Sequence, residues 1–72
     1  MIPTMYQHVT IDPEAAAEVG MEKEACQLWT VEFFRPTKQD VTLVNTADAR
    51  EGKAVMRRID RVPFSALRPS DK

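Results

Sequence analysis

Only one cysteine, one histidine and two glycines occur among the 72 residues, and each scarcity excludes a class of chemistry. Cys26 has no second thiol to pair with, so no disulfide within the chain can staple the fold. Structural zinc sites need several Cys or His ligands, and Cys26 and His8 are the only candidates. Phosphate-cradling loops need closely spaced glycines, whereas Gly20 and Gly52 stand far apart. No apolar run approaches the ~20 residues that a membrane-spanning helix requires. The start, Met-Ile-Pro-Thr-Met-Tyr, lacks the basic-then-apolar order of a secretory signal. A lone thiol without an export signal places the expected compartment in the cytoplasm, with no membrane partner, no metal and no other cofactor.

What remains is the composition of one small globular domain, expected over residues 1–69 with a frayed tail at 70–72. The apolar fraction of 43% and charged fraction of 29% are ordinary for a folded chain. A domain this small hides only ~60% of the surface that its unfolded form exposes. Below ~70–80 residues one core rarely contributes more than ~3–5 kcal/mol net. Without staples, good packing or self-association must supply the rest. Net charge is −1 but unevenly spread: residues 1–32 carry −5, residues 33–52 balance, and residues 53–72 carry +4. Such asymmetry marks either a partner surface or two halves that attract each other.

The densest apolar run, residues 28–34, reads Leu-Trp-Thr-Val-Glu-Phe-Phe and holds the only tryptophan. Strict alternation puts Trp29, Val31 and Phe33 on one face and Leu28, Thr30, Glu32 and Phe34 on the other. A strand apolar on both sides is covered by a core on one and by a helix or second subunit on the other. Residues 41–46, rich in β-branched side chains, follow after a turn at 35–40, and the two strands pair most simply as an antiparallel hairpin.

Upstream, alternation of Met5, Val9 and Ile11 predicts a half-buried strand. Asp12-Pro13-Glu14 then opens a short helix, with Asp12 positioned to accept first-turn N–H groups and Pro13 suited to the first helical position. Gly20 is placed to end it in a left-handed conformation. Ala16, Val19 and Met21 are the expected docking residues, and residues 22–24 read as a solvated connection. Residues 47–62 admit two assignments. Val55, Met56, Ile59 and Val62 follow helical spacing, with Thr46 as cap and Pro63 as stop, but Gly52 interrupts. Alternatively, 47–53 is a loop and 54–62 a strand.

The ending, Arg61-Val62-Pro63-Phe64-Ser65-Ala66-Leu67, resembles the close of an SH3-like small barrel, where a strand enters one 3₁₀ turn whose apolar residues plug the barrel. Phe64 and Leu67, three apart, share one side of such a turn. The resemblance implies a mainly β fold, a small SH3-like barrel with one short amino-terminal helix; the alternative is α+β, a hairpin plus a helix over 47–62. Pro63-Phe64-Ser65-Ala66-Leu67 is also similar to the Pro-x-Ala-Ala-Leu turn of the plasmid-borne type II dihydrofolate reductases. Their pore motif, Val-Gln-Ile-Tyr, aligns with Ile59, Asp60, Arg61 and Val62. The glutamine and tyrosine are missing, so the similarity extends to shape and not to activity.

Catalysis would need a nucleophile, a base and an orienting group brought together. Nothing in the spacing of Cys26, His8 and the carboxylates does so, and a lone cysteine in a β segment reads as a small buried hydrophobe. Glu14 and Glu18 share a helix face, which is the pattern of a solvated surface. The expected function is therefore a non-catalytic protein-interaction module. It binds a protein partner or itself through the apolar strand 28–34, with Leu28, Trp29, Phe33 and Phe34 as partner-binding residues. The alternative is a nucleic-acid-binding module using the basic cluster 57–61: Arg57, Arg58 and Arg61, with Lys53 and Arg68 nearby. Arginine forks suit phosphates, but a pI near 5.7 and the lack of an interleaved aromatic speak against it.

Overall fold

The computed structural model describes residues 1–70. Residues 71 and 72 of the expected frayed tail lie outside the described residues, while Ser70 donates its backbone N–H to the His8 carbonyl at 3.1 Å. Five antiparallel strands form one sheet in the order β4-β3-β2-β1-β5. They are β1 (His8–Ile11), β2 (Trp29–Arg35), β3 (Asp40–Asn45), β4 (Arg58–Pro63) and β5 (Leu67–Pro69), joined by α1 (Pro13–Glu18), α2 (Glu22–Ala25) and α3 (Thr46–Glu51). A 3₁₀ turn, Phe64–Ala66, links β4 to β5. The expected mainly β architecture is present, but β4 and β5 stand at opposite ends of the order, so the sheet is not closed into a barrel.

The core gathers on one face, where Val9, Ile11, Trp29, Val31, Val41, Leu43, Val62, Ala66 and Leu67 are buried and α1 adds Ala16. Trp29 also ties a helix to the sheet, its indole N–H donating to the Glu24 carbonyl at 2.8 Å. The expected β2–β3 hairpin forms, and Arg35 and Asp40 close it as a cross-strand pair. Strand β1 begins later than the alternation suggests. Tyr6, at φ 63°, breaks the extended run, and Met5 is exposed.

Several local expectations need correction. The Asp12 side chain makes no capping bond; its carboxylate accepts from Arg68 Nη2 at 2.8 Å instead. Gly20 is left-handed as expected, at φ 73°, and Ala16 docks, but Val19 points to solvent at 67% exposure. The supposed connection at 22–24 is the single turn α2, and Cys26, at its carboxy-terminal end, is exposed rather than buried. Neither assignment of 47–62 holds. A helix does start there, capped by the Asn45 side chain accepting from the Asp48 N–H, but it stops at Glu51, and Gly52 at φ 69° is its left-handed terminus. The strand that follows begins at Arg58 rather than Ala54. Gly52 is therefore a helix stop, not a flaw within a longer helix.

Candidate functional site

Two β-bulges meet on the outer face of the sheet, one on each side of Thr42. On β2, Val31 pairs with Leu43 but Phe33 pairs with Thr42, so Glu32 is an extra residue. On β4, Val62 pairs with Val41 and Ile59 with Leu43, leaving Asp60 and Arg61 together opposite Thr42. An extra residue shifts alternation by one position. Beyond Glu32, therefore, Phe34 turns inward and packs against the core, while Phe33 turns outward and is 56% exposed. This reverses the faces that strict alternation assigns to the two phenylalanines. On β4 the bulge holds Arg61 at φ 59°, a left-handed backbone that non-glycine residues adopt at a cost.

Between these bulges lies an open depression of about 430 Å³, lined by Phe33, Arg35, Thr42, Asp60 and Arg61. The Thr42 hydroxyl donates to Asp60 Oδ1 at 3.1 Å. Arg35 grips Asp40 in a two-pronged pair, Nε to Oδ1 at 2.7 Å and Nη2 to Oδ2 at 2.6 Å. That hydrogen-bonded contact raises the Arg35 pKa and holds the Asp40 carboxyl below its ordinary value. Arg61 is exposed, and its guanidinium forms no hydrogen bond or ion pair among the described residues, although its charge adds to those holding Asp40 low. One aromatic ring and one unpaired guanidinium thus share a concave surface.

The other cations of the sequence cluster are held by carboxylates. Asp48, only 2% exposed, accepts the Arg57 N–H and Nε at 2.9 Å each, Arg57 Nη2 at 3.1 Å and Lys53 Nζ at 3.1 Å. Its carboxyl is held well below the ordinary range, chiefly by the Arg57 side-chain and backbone hydrogen bonds, and burial only partly opposes this. Arg57 and Lys53 are raised in turn by their bonds to Asp48. Arg58, in register with Val44, reaches across β3 to Glu32 with Nε–Oε2 of 2.9 Å, which raises its pKa. Arg68 holds Asp12. The basic third of the chain is therefore spread over four places, and two of its arginines pair with acids from residues 1–32.

The four apolar candidates are likewise dispersed. Trp29 is core at 2% exposure, Phe34 packs on the core and Phe33 is outward. Leu28 is half-buried and lines a separate cleft with Gln27, Asn45, Thr46 and Arg57. There the Asn45 amide donates to Gln27 Oε1 and Thr46 shares a 2.7 Å hydroxyl contact with Thr30, so its buried polar groups are satisfied. Composition and pattern did not point to Asp48, Asp60 or Thr42. The one available signal was the spacing of Asn45 and Asp48, which suits a helix cap.

His8 sits on β1 opposite Thr30, and Cys26 ends α2 on the surface. Among the described residues no group of His, Cys, Asp and Glu is placed to hold a metal ion, and no helix is long and apolar enough to cross a membrane. No family model, curated protein or solved structure matches the chain.

Proposed function

We propose that the chain is a non-catalytic protein-interaction module that self-associates through the outer face of β2, on an SH3-like frame. The observation that carries this is Phe33, held outward by the Glu32 bulge and more than half exposed in a concave patch. Interface energy concentrates in aromatic anchors ringed by polar groups, and fully burying such a side chain is worth ~1.5–3 kcal/mol. A core this small leaves little other reserve. The SH3-like frame is supported by the 3₁₀ turn between β4 and β5, where Ala66 and Leu67 are buried and Phe64 packs on the core. Sedimentation velocity tests the function: self-association that Phe33→Asp removes supports it, and a monomer at every concentration overturns it.

The nucleic-acid alternative rests on a single feature, Phe33 sharing one depression with Arg35 and Arg61. An aromatic ring beside cations is the arrangement single-strand binders use. Against it, Lys53, Arg57, Arg58 and Arg68 all hold carboxylates, and each would have to leave its partner to meet a phosphate. A labelled oligonucleotide shifted at low salt, and released by Arg61→Ala, would favour it; no shift removes it.

A further inference from the structure

We infer that the occupant of the Phe33 depression is a second copy of this chain, docked about a two-fold axis. The Phe33 rings stack across that axis, and Asp60 of each protomer pairs with the partner's Arg61. This inference rests on the self-association proposed above and adds the geometry.

The charge on the face selects the occupant. Arg35, Asp60 and Arg61 line the depression with Phe33, Asp40 is bound to Arg35, and Glu32, the chain neighbour of Phe33, is bound to Arg58. Those two pairs are matched within the chain. Two charges of the face have no ion-pair partner among the described residues: the Arg61 guanidinium, and the Asp60 carboxylate, which accepts the Thr42 hydroxyl. They are adjacent, opposite in sign and line the same depression. A polyanion such as nucleic acid, or a strongly basic peptide, meets a face with no net charge and one repelling group. A surface that carries a plus beside a minus and an aromatic ring is complementary to itself when turned through a half rotation. A two-fold interface requires that, because the same patch is presented from both sides.

The bulge makes the arrangement possible. It brings two consecutive residues, Asp60 and Arg61, to the same point opposite Thr42, where a regular strand would direct them to opposite faces. Arg61 takes the left-handed φ that this demands, and strained backbone of this kind persists where surrounding structure holds it, often at binding surfaces.

Charge reversal tests the geometry. Asp60→Arg places two guanidiniums against each other at both contacts, and Arg61→Asp does the same with two carboxylates. Each variant alone should sediment as a monomer, with dimer affinity reduced at least tenfold. An equal mixture should form a heterodimer at wild-type concentrations, because one protomer then carries both cations and the other both anions. Combining both changes in one chain should restore the homodimer. A mixture that stays monomeric while the wild type dimerises overturns the two-fold pairing and leaves self-association standing. A wild type that is monomeric throughout removes both. Where a charge-reversed variant fails to fold, zero-length carboxyl–amine coupling of Arg61→Lys decides the matter. In an equal mixture of ¹⁴N and ¹⁵N chains it should yield a mixed-isotope peptide joining Asp60 to the partner's position 61, and absence of that peptide in a dimeric sample overturns the inference.

Discussion

Replacing Trp29 with phenylalanine removes two things at once, and the structure gives a scale for each. The indole N–H donates to the Glu24 carbonyl at 2.8 Å and is the side-chain tie between α2 and the sheet. An intramolecular hydrogen bond of this kind contributes ~0.5–1.5 kcal/mol net. Trp29 is also 2% exposed at the centre of the core, and the smaller ring gives up the equivalent of about two buried methylenes, at ~0.8 kcal/mol each. Together the loss is about 2–3 kcal/mol, set against the ~3–5 kcal/mol that a domain of this size commands. One kcal/mol moves the midpoint of a 60–100-residue domain by ~4–8 °C, so Trp29→Phe should lower Tm by roughly 10–20 °C in far-UV circular dichroism. Because the lost bond anchors α2, amide exchange at Ala25 and Gln27, whose N–H groups donate to the Met21 and Glu24 carbonyls, should accelerate more than exchange in β3. A midpoint shift below about 2 °C, or α2 protection unchanged relative to β3, would refute the assignment of Trp29 as the tie between helix and sheet.

Two further perturbations follow from the β3–β4 connection. Asp48 is held below its ordinary value in the folded chain, so the stability it supplies is present above the unfolded carboxyl pKa of about 4 and is lost as pH falls below that; Asp40 acts in the same direction. Tm should therefore fall from about pH 5 downward, and Asp48→Asn should be less stable at pH 7 with a flatter acid limb; an unchanged limb would count against the buried hub. Gly52→Ala places a Cβ in open space, with nothing within 4 Å, so its cost is that of the left-handed backbone alone, about 1–2 kcal/mol by urea denaturation; no loss would contradict the αL terminus of α3.

How far the sequence disclosed the fold depended on whether the signal was local. Pro13, Gly20 and the turn before Asp40 act on their own backbone, so the first helix and the β2–β3 hairpin could be read directly. The bulges could not, because a bulge is a relation between strands: nothing in Glu32-Phe33-Phe34 says that Glu32 is extra until Leu43 and Thr42 are laid beside it. That one residue exchanges the roles of Phe33 and Phe34. Gly52 was visible but ambiguous, since a glycine within helical spacing costs the same in sequence whether it interrupts a helix or ends one. Asp48 was hidden because burial of a carboxylate depends on Lys53 and Arg57 folding back over it. Of the candidate site, the strand carrying Phe33 was legible, as was Arg61 as an available cation; their meeting at Thr42 was not.

Sedimentation velocity of the wild type and Phe33→Asp, from low to high micromolar concentration, tests the central claim most directly. The weight-average mass of the wild type should rise toward that of a dimer. Phe33→Asp, with an unchanged far-UV spectrum because its side chain lies outside the core, should remain monomeric over the same range. A wild type that stays monomeric throughout, or a Phe33→Asp variant that associates as the wild type does, would contradict it.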